Sequence, residues 1–411
     1  MTTTTSSPDL AEVKLAAARV GEVIEHTPIQ TSRILREVLG SPVFLKLESL
    51  QRTGSYKIRG AYNRLAQLSP EERARGVVAA SAGNHAQGVA FAAHELGIAA
   101  TIFMPVGVAL PKLLATRGYG AEVQMEGAIF DETNAAAQRF AEQTGAVFIP
   151  PFDHIDIITG QGTLALELWD DIPDLDTVIV PIGGGGLAAG VASTIKQLAA
   201  EAGREVKVIG VQAANAAGYV ASLAAGEVVT ADISPTIADG IAVARPGDLT
   251  FDIIREYVDE VVTVTDDEIA RALVMLLERA KLVVEPAGAV GVAAVMAERI
   301  TGTGTTAIIL SGGNIDPLMM ERVISRGLAA SQRYLKVTIP LPDRPGQLAK
   351  IANIISSANA NVVEVLHTRH GLDLQISEVA IDIHMETRGK EHAQIVLDAL
   401  RAEGYRPIVG V

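Results

Sequence analysis

Five short segments carry residues whose types and spacing could do chemistry. In and just beyond FLKLESLQRTGSYKIRGAYN (44–63), Ile58, Ala61, Tyr62 and Leu65 fall at i, i+3, i+4 and i+7, which predicts a helix starting near Ser55. Lys57 then stands in the first turn, where the positive helix end disfavours a cation. The same field lowers the ammonium pKa and favours the neutral amine that a Schiff base needs. The competing reading is a solvent-facing lysine. SAGNH (81–85) follows a strand and opens a helix. Backbone N–H groups there bind an anion such as a carboxylate, and Asn84 and His85 could add side-chain bonds. The alternative is that Ser81 or Asn84 only caps the helix.

GGGGL (183–187) lies between the strand TVIVPI and a helix. Consecutive glycines let N–H groups converge on a phosphate. The stretch also fits G-x-G-x-x-A, but a dinucleotide site needs an acid near the end of the next strand. That strand, VKVIGVQA, offers Gln212, so a single phosphate is favoured. SGGN (311–314) closes a strand, which puts Ser311 either at the ligand crevice of an open α/β sheet or in another capped turn. Glu285, in EPAGA, is either a site acid or, more simply, an acid at a Pro-started helix.

The elements that must position these residues follow one pattern. From about Val43 to Gly312, short apolar β-branched runs alternate with Ala-rich helical stretches. The runs are GVVAAS, IAATIFMP, AVFIPPF, TVIVPI, VKVIGVQA and TAIILS. Continuous apolar strands alternating with helices predict parallel sheets covered on both faces, one before about residue 150 and one after. ISRGLAASQRY (324–334) reads as a linker. YLKVTIP, IANIISSA, NVVEVLHTR, EVAIDIHME, HAQIVLDALRAEG and YRPIVGV then give β-α-β-β-α-β, a ferredoxin-like unit.

Composition bounds the function. The net charge of −14 argues against nucleic acid as a partner, and 48% hydrophobic residues with 20% charged are globular. With Cys 0, there is no disulfide framework, thiolate site or cysteine nucleophile, which fits a reducing, cytoplasmic setting. MTTTTSSPDL lacks the basic and apolar regions of a secretory signal, and no uncharged apolar run reaches membrane length.

Together, SYKIRGA, SAGNHAQGVA, GQGT (160–163), GGGGL, TIADGIAV (236–243), EPAGA and SGGN resemble the serine/threonine dehydratase (threonine ammonia-lyase) family of fold-type II pyridoxal-phosphate enzymes. LPDRPGQL (341–348) makes the C-terminal unit look like an ACT domain. The resemblance implies an α/β catalytic region of two lobes over 1–328, the smaller about 50–150, with open parallel sheets. It also implies an ACT-like regulatory domain over 335–411.

The resemblance further implies roles. Lys57 would hold pyridoxal 5'-phosphate as a Schiff base and act as acid/base at Cα, with Tyr56 flanking the ring. Asn84 would bond the phenolic oxygen, and Gly183, Gly184, Gly185, Gly186 and Leu187 would cradle the phosphate. Ser311 would face the pyridine nitrogen. Ser81, Ala82, Gly83, Asn84 and His85 would frame the substrate carboxylate. L-threonine would yield 2-oxobutanoate and ammonia, feeding isoleucine biosynthesis, with isoleucine or valine as effector and a homodimer or homotetramer as the assembly.

Two departures discriminate. Related racemases place a serine base where this chain has Ala82, so elimination is expected over racemisation. They also bind a divalent cation through acids where this chain has Gln212 and Gly218, so no metal is expected. A serine-preferring dehydratase, a serine racemase and a non-catalytic amino-acid sensor are the competing assignments.

Overall fold

A computed structural model describes residues 7–368 and 378–410. The chain divides into two compact units, Met1–Met320 and Glu321–Val411. Within the first unit the apolar runs form two sheets. The larger runs Ile29–Thr31, Val43–Lys46, Thr306–Ile309, Thr177–Pro181, Lys207–Ala213, Glu260–Val264 from edge to edge. It is parallel except for its first strand. The smaller is a parallel sheet in the order Glu122–Met125, Ala100–Met104, Val77–Ala80, Val147–Phe148. Thr177–Pro181 and Val77–Ala80 are buried at every residue, as sheets covered on both faces require.

The division of sheets near residue 150 needs correction. Ile29–Thr31 and Val43–Lys46 belong to the later sheet, because Val43–Lys46 pairs in parallel with Thr306–Ile309. The chain enters the larger sheet, crosses to build the smaller lobe, and returns. The edge strands Ile29–Thr31, Glu122–Met125 and Glu260–Val264 are short and partly exposed, and gave no continuous apolar run to read.

The expected linker at 324–334 is mostly helix. Pro317–Ala330 is helical and buries Val323 and Gly327, one turn apart on one face. Beyond it, an antiparallel sheet runs Asn361–Thr368, Glu378–Glu386, Tyr334–Pro342, Ile408–Val409. Leu335, Val337, Ile339 and Leu341 alternate inward against the helices Gln347–Ser357 and Lys390–Ala402. This is the expected β-α-β-β-α-β order; Arg369, in the predicted second strand, lies outside the described residues.

The helix carrying Lys57 runs Lys57–Ala66, two residues later than expected, with Tyr56 at its N-cap. Its apolar face, Ile58, Ala61 and Leu65, packs into the smaller lobe. Its other face is buried too, against the helix Ile155–Asp171. There Gly60 meets Gly160, whose Cβ position would lie 2.7 Å from Gly60 Cα, so neither glycine could carry a side chain at this crossing. Two residues on from Lys57, the guanidinium of Arg59 donates two 2.8 Å bonds to Glu48 and a 2.6 Å bond to Glu167. Glu167 also pairs with Lys46 at 2.6 Å. These buried charges fix the Lys57 helix to the larger sheet and to the neighbouring helix.

Candidate active site

Lys57 ends in an amine that donates a 2.8 Å hydrogen bond to the carbonyl oxygen of Pro151. Burial removes water from the ammonium and pulls its pKa down to about 8, against the opposing pull of the Glu285 carboxylate. About a tenth of the amine is therefore neutral at pH 7, far more than for an ordinary lysine. The Tyr56 ring centroid lies 5.4 Å from the amine. Burial, reinforced by Glu285, keeps the Tyr56 hydroxyl protonated.

The next residue after Pro151 brings in the glycine turn. Gly183–Gly186 connects Thr177–Pro181 to the helix Gly186–Glu201. A Cβ on Gly184 would run into the Phe152 ring, and one on Gly183 would lie 2.9 Å from Ile241 Cα. Gly185 adopts φ 101°, the left-handed region that favours glycine, and a Cβ there would meet the Tyr219 hydroxyl. The turn is thus a bare backbone surface at a helix N-terminus, the donor set an anion needs. Leu187 sends its side chain into the core of the larger lobe and offers the site only its backbone.

On the smaller lobe, Val77–Ala80 leads through Ser81, Ala82 and Gly83 into the helix Asn84–Leu96. Ser81 Oγ accepts from Gly83 N at 3.1 Å, and a Cβ on Gly83 would meet only open space. Asn84 is held at both ends of its amide. Its Nδ2 donates to Glu285 at 2.8 Å and its Oδ1 accepts from Asn314 Nδ2 at 2.9 Å. The side-chain bond allowed to His85 is directed elsewhere: Nε2 pairs with Ile149 O at 2.9 Å, inside the lobe. Burial, helped by the nearby Lys57 charge, lowers the His85 pKa to about 3, so the imidazole is neutral and Nε2 carries the proton. His85 can meet an anion through its backbone N–H only.

Ser311 follows Thr306–Ile309 and is 3% exposed. Its carbonyl accepts from Tyr56 N at 3.1 Å, and Ser55 bridges to Gly312, so the loops of Lys57 and Ser311 are stitched side by side. Glu285 precedes the helix Pro286–Met296 but makes no capping bond to it. Instead it is buried with its pKa raised to about 7, by burial first and by Asp239 second. Its helix-terminal reading therefore gives way to a place in the site, facing Asn84 and Gly312. An acid inside the otherwise uncharged run Leu282–Ala297 was the available signal, since such a group requires a partner.

Gln212, at the end of its strand, accepts from Tyr219 N at 3.0 Å and Val220 N at 3.2 Å. It caps the helix Gly218–Ala225 from within the fold.

These groups fit a phosphorylated aldehyde cofactor. A half-buried, partly neutral amine is bound to a carbonyl oxygen, a side-chain-free turn packs on the residue next to that acceptor, the Tyr56 ring lies beside the amine, and the Ser311 loop is bonded to the Tyr56 backbone.

The pyridoxal-phosphate dependent enzyme family model matches residues 20–312. The chain is 48% identical over 396 residues to an L-threonine ammonia-lyase of Thermotoga maritima, spanning 96% of this chain and 98% of that one. Among solved structures it resembles maize serine racemase, with TM-score 0.73 and 35% identity over 79% of this chain and 98% of that one. It also resembles the processed form of threonine deaminase isoform 2 from Solanum lycopersicum, with TM-score 0.72 and 36% identity over 78% and 95%.

Proposed function

The chain belongs to the pyridoxal-phosphate-dependent enzyme family, and on that premise we propose that it is an L-threonine ammonia-lyase releasing 2-oxobutanoate and ammonia by β-elimination. The observation that carries this is the half-buried Lys57 amine, bound to Pro151 O beside the residue on which the glycine turn rests. We take 1–328 as the catalytic region, its smaller lobe about 50–150, and 335–411 as a regulatory ACT-like unit.

Bound pyridoxal phosphate supplies the electron sink that makes the substrate Cα–H acidic. Lys57 would hold the cofactor through its amine and, once the substrate amine has displaced it, would be free to take the Cα proton, a task its depressed pKa suits. N–H groups of Gly183–Leu187 bind the phosphate. N–H groups of the turn Ser81–His85 bind the substrate carboxylate at the start of their helix. Asn84, one amide hydrogen given to Glu285, keeps the other for the cofactor's ring oxygen. Ser311 would offer the ring nitrogen a neutral hydroxyl. Loss of the Cα proton and the β-hydroxyl leaves an enamine, which tautomerises and takes up water to give the 2-oxo acid and ammonia. Ala82 supports elimination over racemisation, because a methyl group cannot return a proton to the opposite face.

The regulatory reading has its own support. A cavity of about 280 Å³ in the second unit is lined by Leu341, Arg344, Gly346, Gln347, Val379 and Ile381, among others. A guanidinium beside aliphatic side chains suits a branched amino acid such as isoleucine or valine. ACT-like units expose sheet edges, which suits a homodimer or homotetramer.

Comparing kcat/KM for L-threonine and L-serine, with D-serine assayed in parallel, tests the substrate. Turnover of threonine to 2-oxobutanoate supports the proposal; D-serine formation at a comparable rate contradicts it. An isoleucine response lost in Arg344→Ala supports the regulatory reading, and an unchanged response contradicts it.

A further inference from the structure

The glycine turn is held from behind by two buried hydroxyls. Thr250 Oγ1 donates to Gly184 O at 2.8 Å, and Tyr219 OH donates to Thr250 Oγ1 at 2.8 Å. The Tyr219 oxygen is also 3.1 Å from Gly184 O. Both side chains are wholly buried, at 0% exposure. Thr250 Oγ1 also lies 3.2 Å from Gly247 O, in its own helix start, so each hydroxyl has two acceptors in reach; the shorter contact of each gives the order Tyr219, Thr250, Gly184 carbonyl.

This order fixes a direction. In a planar trans peptide the C=O and the following N–H point opposite ways. Anchoring Gly184 O therefore turns Gly185 N–H away from the two hydroxyls. The Tyr219 oxygen also fills the place a Cβ on Gly185 would take, backing the residue in its φ 101° conformation. The hydroxyls are themselves fixed. Asp153 accepts from Thr250 N and Asp248 N at 3.1 Å each, while Gln212 accepts from Tyr219 N. Asp153 adjoins Phe152, whose ring lies against Gly184.

We propose that Tyr219 and Thr250 form a hydroxyl relay that presets the glycine turn for a phosphate monoester, so that cofactor retention, rather than the chemical step, depends on them. The inference rests on the pyridoxal-phosphate reading above. Both are positioning residues, acting through the Gly184–Gly185 peptide.

The test uses the full-length holoenzyme with Tyr219→Phe, Thr250→Val and Thr250→Ser. Cofactor release is followed by visible absorbance, affinity by rebuilding the apoprotein with pyridoxal phosphate or with pyridoxal, and kcat at saturating cofactor. Losing a buried hydrogen bond predicts roughly tenfold faster release of pyridoxal phosphate from Tyr219→Phe and Thr250→Val. Thr250→Ser, which keeps the hydroxyl, should stay near wild type. Affinity for pyridoxal, which lacks the phosphate, and kcat should barely change. Wild-type retention of pyridoxal phosphate by Tyr219→Phe, or equal weakening of both aldehydes, overturns the relay. Tyr219→Phe removes one oxygen and keeps the result readable if Thr250→Val misfolds. A wild-type protein that takes up no pyridoxal phosphate would overturn the proposed function itself, and the relay with it.

Discussion

The Lys57 amine is bound to the carbonyl oxygen of Pro151 at 2.8 Å, which ties the reactive nitrogen to the segment that also supports the glycine turn. From Ile149 to Asp153 this segment accepts from His85, accepts from Lys57, packs its Phe152 ring against Gly184, and caps Thr250 N. One short segment, bent at Pro151 and Phe152, thereby links the amine to the proposed phosphate cradle.

A first prediction concerns the turn. Gly184→Ala places a methyl group into the Phe152 ring, and a core this dense does not yield to it without displacement. The variant should fold but lose cofactor uptake, measured by absorbance titration. Uptake at wild-type affinity would show that the turn does not hold the phosphate.

The pH dependence of cofactor capture follows from Lys57. Its pKa is lowered to about 8, so the neutral amine gains about tenfold per pH unit below that value and saturates above it. The rate at which apoprotein captures pyridoxal phosphate should rise from pH 6 to 8 and then level off. A flat profile over that range would contradict the assignment of the amine.

Glu285 predicts a stability effect with a definite sign. Its folded pKa is raised from 4.5 to about 7, so the native state binds that proton more tightly than the unfolded chain. The resulting penalty is absent well below pH 4.5, develops between 4.5 and 7, and is complete above 7. Glu285→Gln keeps an acceptor for Asn84 and removes the charge. Denaturant unfolding of the apoprotein should show a gain of roughly 2–3 kcal/mol at pH 8 that shrinks towards pH 5. A loss of stability at pH 8 would mean that the carboxylate is better paired than its surroundings indicate.

Arg59 predicts the opposite kind of change. Removing it leaves Glu48, which is 0% exposed, without its bidentate partner. Arg59→Ala should cost about 3–5 kcal/mol in unfolding free energy, as breaking a buried pair does. A cost below about 1 kcal/mol, typical of surface pairs, would show that the cluster is solvated.

Much of the site was readable in the sequence because it is built from unusual residues at strand ends. Lys57 stands at a helix start, and the four successive glycines and the polar turns at 81 and 311 each end an apolar run. What stayed hidden has physical causes. Pro151 contributes a backbone oxygen, which no side-chain pattern reveals. Glu285 followed by proline carries the same signature as an ordinary helix start, and only its burial against Asn84 separates the two. Tyr219 and Thr250 lie 31 residues apart and meet only through the fold. Arg59 was masked because helical periodicity assigns burial to apolar residues, whereas this helix is buried on two sides. The helix through 317–330 was masked by its Ser, Gly and Ala residues, which resemble a linker although Val323 and Gly327 are buried.

Threonine turnover by the wild type and by Lys57→Ala tests the central claim most directly. The wild type loaded with pyridoxal phosphate should release 2-oxobutanoate and ammonia in equal amounts. Lys57→Ala should fold, lose the visible absorption of the bound cofactor and release neither product. Sustained 2-oxobutanoate release by Lys57→Ala would contradict the account.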